Sequence, residues 1–342
     1  LGTGGTLNIT NAAAASGDVD ISAFENVDVT SIDAAGSARL SVFDDANDGS
    51  GTLTVNITDI DAASAVVTAT GIDADDTVDI TFGGAVDNGL GDLTLSSATH
   101  GTITLNQDVT ADGSLTLFGA SGITVSGQRT LQSAGGDITV NSDISAAALG
   151  NNDLDLSAGS GTVRLGTVGG GTARLNDVTV TADKLILTGG VSTDAAGVND
   201  ADTGDVLFTG VDAVELSGDV SIDTEDGTNN AGSVVFGSAA TVDGDGAALR
   251  DLTIVTDAEA IDGAVALGVA GGMVKLDAIS ITAGAGDVDL VDADAVGLQI
   301  HVLNDLFAGL HRHAGGEALI ADERGNERVV ARLNARDAVL AV

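Results

Sequence analysis

The 342-residue chain has no Cys, no Pro, no Trp and no Tyr, with one Met and seven Phe. Each absence excludes something. Without Cys there are no disulfides, thiolate metal centres or cysteine nucleophiles, so stability rests on burial and backbone hydrogen bonds. With so few aromatics, the core must be built from Val, Ile, Leu and Ala, and platforms on which sugars or bases stack are missing. Without Pro, no strand is interrupted by a residue lacking an N–H donor. Basic residues are scarce as well, 12 Lys and Arg against 51 Asp and Glu, for a formal net charge of -39. A surface this negative repels phosphate, which argues against nucleic acid and anionic membranes as partners. No window approaches the roughly 18 uninterrupted apolar residues of a membrane-spanning helix, so membrane insertion is not expected.

What the chain does have is Gly and Asp. There are 48 Gly, and 44 of the 51 acids are Asp rather than Glu. Asp is a good turn residue, and between the turns apolar and polar residues alternate in short runs, the pattern of half-buried strands. Leu53, Val55 and Ile57 alternate with Thr54 and Asn56, and the same beat returns at Leu93–Leu95, Ile103–Leu105, Leu115–Leu117, Ile138–Val140 and Val163–Leu165. Laying Gly91-Asp92-Leu93-Thr94-Leu95 over Gly113-Ser114-Leu115-Thr116-Leu117 shifts the chain by 22 residues, and Gly136-Asp137-Ile138-Thr139-Val140 follows 23 further on. A period of this length holding two or three short strands is one turn of a parallel β-helix. An antiparallel sandwich would want Asn-Gly or Asp-Gly hairpins at most junctions and aromatics to fill its core. The spacing therefore predicts an all-β fold, a parallel β-solenoid over residues 1–296 with coils of roughly 22–25 residues. The chain opens at Leu1 without Met or a signal-like segment, as expected of a processed or partial product.

Residues 297–342 differ. Arg312, Arg324, Arg328, Arg332 and Arg336 balance the acids of residues 312–342, so the negative charge lies upstream. Leu303, Leu306, Phe307 and Leu310 have helical spacing, and a second, weaker helical pattern runs from about Glu327 to Leu340. This segment is expected to be a short, helical C-terminal cap that covers exposed strand edges, or a docking element. In the second role Arg324, Arg328, Arg332 and Arg336 would meet an acidic neighbour and drive self-association into fibres or layers.

The recurring Gly-x-(Leu/Ile)-Thr-(Leu/Val) figure, with Asn, Asp and Gly between, resembles the repeats of filamentous-haemagglutinin-like and autotransporter-like bacterial surface proteins over residues 1–296. The resemblance implies a right-handed parallel β-helix, secreted to the bacterial cell surface, that acts as a filament component or an adhesin. The Asn-Pro-rich secretion module of two-partner systems has no counterpart in a chain without Pro, so the secretion route stays open.

Candidate chemistry is limited to oxygen-rich turns. Asp44, Asp45, Asn47 and Asp48 precede Gly49 like half of a calcium loop, without the bidentate Glu of an EF-hand. Asp223, Glu225 and Asp226 form a second such turn. These residues are the candidate Ca2+ ligands; the alternative is that they are solvated turn acids. His311-x-His313 would share one side of a strand but diverge on a helix. A polysaccharide lyase or hydrolase would need clustered carboxylates with a basic group, and Lys184 and Lys275 are the only lysines. No Gly-x-Ser-x-Gly elbow or phosphate loop is present. The expectation is a structural extracellular protein rather than an enzyme. Loops such as 194–205 and 223–231 are where a glycan or cell-surface receptor would bind if the chain is an adhesin.

Overall fold

A computed structural model describes residues 6–44, 52–71, 77–84, 86–88, 91–148, 152–170, 174–193, 204–225, 230–258, 262–283, 286–293, 295–301, 310–312, 317–321 and 327–332, with side-chain surroundings given through Leu290. Every element among these residues is a strand. The chain divides into two compact units, one of residues 1–148 and 152–166, the other of 149–151 and 167–342.

In the first unit the coils stack through three parallel ladders. The first ladder is seven-stranded: Thr6–Ile9, Asn26–Val29, Thr52–Ile57, Thr77–Phe82, Ile103–Leu105, Ile123–Val125 and Ile144–Ala146. The second takes Ala12–Ala14 onto Ile32, Val86 onto Val109, and Val109 onto Leu131. The third takes Leu93 onto Leu115, Leu115 onto Ile138, and Ile138 onto Val163. Long strands such as Ile32–Asp44 and Ile60–Gly71 turn a corner, so their beginnings pair at Ile32↔Ile60 and their ends at Leu40↔Val67, with a register shift between. The 22- and 23-residue shifts read from the sequence are thus true registers. Coil length varies more widely than the expected 22–25, from 19 residues between Val19 and Ala38 to 32 between Val220 and Leu252. The longest coil keeps its register, with Val220 on Leu252 and Ile222 on Ile254, so its extra residues fall between the paired segments.

The interior of this unit is a set of aliphatic columns. Ile80, Ile103, Ile123 and Ile144 are successive register partners, and all are buried. Each such side chain contributes about 1.5–3 kcal/mol by leaving water. Their outward neighbours are polar; Thr124 donates its hydroxyl hydrogen to Thr104 Oγ1 at 3.1 Å across one register step.

The second unit repeats the plan. Its first ladder is five-stranded: Val191–Ser192, Val220–Asp223, Leu252–Val255, Leu276–Thr282 and Ala295–His301. Val178, Val206, Val234, Val265 and Val288 form one buried column of the second ladder. Phe208 and Phe236, register partners on that ladder, meet edge to face with centroids 5.3 Å apart. Among the described residues of this unit, these two Phe are the aromatics of the core.

The C-terminal segment departs from expectation. Leu310–Arg312, Glu317–Ala321 and Glu327–Arg332 form a three-stranded antiparallel sheet. Residues 327–332 are therefore strand and not the start of a helix, and Leu310 opens a strand rather than closing a helical turn. The reason is local and tertiary together: Val329-Val330 is a β-branched pair with poor helix propensity, and the backbone groups of this run find partners across the sheet. Leu303, Leu306 and Phe307 lie outside the described residues.

Candidate functional site

The Gly-Asp and Gly-Ser pairs that open strands sit at corners, where a bending chain leaves amides out of the ladder. In the first unit one corner carries Asp18, Ser37, Ser64, Asp92, Ser114, Asp137 and Thr162 on successive coils. Ser37 donates its amide to Asp18 Oδ1 at 2.7 Å, and Ser64 its hydroxyl to Ser37 Oγ at 3.2 Å. Further on, Ser114 donates its amide to Asp92 Oδ1 at 2.7 Å, Asp137 to Ser114 Oγ at 3.3 Å, and Thr162 to Asp137 Oδ1 at 2.7 Å. Asp18, Asp92, Ser114 and Asp137 each clip the next coil by its backbone amide, whereas Ser37 and Ser64 are joined hydroxyl to hydroxyl. Such a bond contributes about 0.5–1.5 kcal/mol, and the charged acceptors gain little more because the column is exposed to water.

The Gly residues make this approach possible. A Cβ on Gly91 would collide with the Ala63 carbonyl, and one on Gly113 with the Asp92 carboxylate. The second unit builds the same device at Asp177, Asp205 and Ser233. Asp205 donates its amide to Asp177 Oδ1 at 2.7 Å, Ser233 to Asp205 Oδ1 at 2.7 Å, and Ala264 to Ser233 Oγ at 3.3 Å. Another corner repeats it at Asp219 and Asp251, which accept the amides of Asp251 and Ala278 at 3.2 and 3.1 Å. Seven of the Asp residues, Asp18, Asp92, Asp137, Asp177, Asp205, Asp219 and Asp251, thus serve coil-to-coil hydrogen bonding. The signal was in the sequence, since Asp92, Ser114 and Asp137 occupy one position of the repeat; only the direction of the carboxylate, up the stack instead of into its own turn, could not be read there.

A third corner of the second unit is marked by Thr193, Thr224 and Thr256, after which the chain has its longest insertions. Thr193, Thr224 and Thr256 are fully buried inside it. Each donates its amide to the next coil: Thr193 to the Asp223 carbonyl at 3.0 Å, Thr224 to Val255 at 3.0 Å, Thr256 to Thr282 at 2.8 Å. Each hydroxyl then crosses the mouth of its loop, Thr193 to the Gly204 carbonyl, Thr224 to Gly232 at 2.7 Å and Thr256 to Gly263 at 2.8 Å. The loops so rooted, 194–203, 225–231 and 257–262, contain Asp194, Asp200, Asp202, Glu225, Asp226, Asp257, Glu259 and Asp262, and no Lys or Arg. Burial raises the Asp257 carboxyl above its ordinary value, and the neighbouring Asp262 carboxylate raises it further. Elsewhere in the unit the Arg250 side chain grips Asp245, with Nη2 2.7 Å from Oδ2, and this hydrogen bond holds the carboxyl down at about 2.

The candidate calcium ligands are placed separately. Asp44 is the last residue of a strand, in register with Gly71 and only 2% exposed. Its alternation with Val42 and Leu40 places it on the buried face of the strand. Asp45, Asn47, Asp48 and Asp226 lie outside the described residues. Asp223 accepts a hydrogen bond from Arg174 Nη2 on Oδ2 at 3.2 Å and from the Glu225 amide on Oδ1 at 3.0 Å. Among the described residues no group of three or more His, Cys, Asp or Glu is arranged to hold a metal ion. Of the assembly arginines, Arg328 and Arg332 are on the strand Glu327–Arg332, with Arg332 opposite Glu317. Arg324 and Arg336 are outside the described residues. His311 is on a strand and His313 is not described.

Stacked parallel strands, aliphatic columns and clipped corners define the class: an all-β parallel β-solenoid. No family model, curated protein or solved structure matches the chain.

Proposed function

We propose that the chain is a structural extracellular protein, a β-solenoid building block of bacterial cell-surface filaments or layers. The observation that carries this reading is the Gly-(Asp/Ser) corner column: it fixes register from coil to coil and requires no ligand to do so. The carboxylates not engaged by amides keep the assembled surface hydrated. End-to-end association would use the C-terminal segment, where arginines including Arg328 and Arg332 offer cations to an otherwise acidic chain. Electron microscopy of the purified protein, with and without calcium, tests the proposal. Regular fibres or sheets are expected, and they should shorten or vanish on deletion of residues 297–342. Isolated particles under all conditions would refute it.

A second reading, an adhesin for a glycan or cell-surface receptor, is favoured by the loop roots. Three loops leave one corner on successive coils, each closed at its base by a buried Thr. The same corner also closes with a short turn, where the Gly286 amide reaches the Ala283 carbonyl at 2.7 Å. Replacing loops 194–203 and 225–231 by that turn should abolish binding on a glycan array without loss of fold. Binding that survives the replacement would remove the loops from this role.

A further inference from the structure

Two of these loops are joined at their roots by a single side chain. Arg174 stands just before Leu175, which is buried and bridges in parallel to Thr193. Its guanidinium reaches past the coil of Thr193 to the one beyond. There Nη1 donates to the Glu225 carbonyl and Nη2 to Asp223 Oδ2 at 3.2 Å, while Nη1 also lies 3.4 Å from the Thr193 carbonyl. These partners are 49 and 51 residues away in sequence for Asp223 and Glu225, and 19 for Thr193. The carbonyls of Thr193 and Glu225 are the points from which loops 194–203 and 225–231 depart. Asp223 closes the arrangement by receiving the Glu225 amide on its other oxygen, at 3.0 Å.

The chemistry favours Arg at this place. A planar fork presents several N–H groups in fixed directions and satisfies a carboxylate and two carbonyls together, which the single ammonium of Lys cannot do. The carboxylate and the carbonyl oxygens also constitute a donor set of the kind that hard cations take, and here the cation is part of the chain.

We propose that Arg174 is a positioning residue for this corner, locking Thr193 and the Asp223–Glu225 segment to each other and so fixing the two roots from which the loops after Thr193 and Glu225 depart. The inference concerns how the loops are held and does not depend on what they bind. Arg174→Met keeps the aliphatic stem and removes the fork. Amide hydrogen exchange of the full chain, read residue by residue, tests it. Exchange at the Thr193 and Glu225 amides, both bonded to Asp223, is expected to rise about tenfold or more in Arg174→Met and less in Arg174→Lys. The Ile254 amide, in the ladder of the same unit, should keep its rate. If Arg174→Met fails to fold, Asp223→Asn, which retains the acceptor for Glu225 and loses the charge facing Arg174, should show the same local acceleration. Unchanged exchange at Thr193 and Glu225, or an equal rise at Ile254, would overturn the proposal.

Discussion

Gly135 and Gly136 are adjacent in one corner turn, and the fold predicts opposite consequences for the same substitution at the two positions. At Gly136 a Cβ would sit 2.6 Å from both the amide nitrogen and the hydroxyl of Ser114, and 2.7 Å from the Gly113 carbonyl carbon. Two of these atoms are backbone, so the neighbour cannot swing aside and the coils must part. Overpacking of this kind costs about 1–3 kcal/mol. Parting the coils also weakens the bonds of Asp137 on either side, from its amide to Ser114 Oγ at 3.3 Å and from Thr162 to its Oδ1 at 2.7 Å, for about 1 kcal/mol more. At Gly135 the same Cβ would meet only the Asp112 carbonyl oxygen, at an ordinary 3.8 Å. Gly135→Ala then acts mainly through the unfolded chain and stabilises by about 0.4–1 kcal/mol. Urea unfolding followed by far-ultraviolet circular dichroism should move the midpoint down for Gly136→Ala and slightly up for Gly135→Ala, at similar slope. Equal midpoints, or the reverse order, would refute the claim that glycine is needed there for the approach of successive coils.

The other predictions concern the core and the acids. Ile123→Ala, in a column between Ile103 and Ile144, should cost about 2–5 kcal/mol by the same assay, because rigid neighbours above and below limit collapse of the cavity. The Asp245–Arg250 pair lowers the Asp245 carboxyl from 3.8 to about 2, so its contribution is complete above the unfolded value and is lost as pH falls through about 2. Acid titration of Asp245→Asn should therefore match the parent above about pH 5 in shape and show a shallower loss of stability between pH 4 and 2. Asp257 has the opposite sign: burial raises it, so its charge opposes folding above its unfolded value. Asp257→Asn should raise the unfolding midpoint at pH 7 and leave it unchanged at pH 3; a gain of equal size at both pH values would contradict the assignment.

The ladders were legible because a parallel solenoid writes its register into the period of the sequence. The shifts that bring Leu93 onto Leu115 and Leu115 onto Ile138 are the registers found, and Val109 pairs with Leu131 as the same shift requires. Lack of Pro follows from strands whose amides are used on successive coils, and lack of Trp from a narrow aliphatic core. Other features depend on direction or partner, which a one-dimensional pattern does not contain. Asp44 follows Phe43 in a strand that continues its alternation inward, whereas composition alone made it a loop acid. Thr193, Thr224 and Thr256 look like any turn threonines until their loops close, because the bonded glycines Gly204, Gly232 and Gly263 stand at different separations. Arg174 is a lone cation in sequence and joins residues on coils 19 and 49 positions away. At residues 327–332 helical spacing competed with β-branched propensity, and pairing with Glu317–Ala321 decided for strand.

The architecture rests on parallel coils held in one register, and a cysteine-free chain allows that to be tested without background. Thr104 and Thr124 are register partners with hydroxyl oxygens 3.1 Å apart, whereas Thr104 and Thr139 belong to different ladders. Under mild oxidation, intact mass and peptide mapping should show a near-quantitative intramolecular bridge in the double variant Thr104→Cys/Thr124→Cys and none in Thr104→Cys/Thr139→Cys. A bridge in the second variant, or none in the first, would contradict the parallel register on which the account depends.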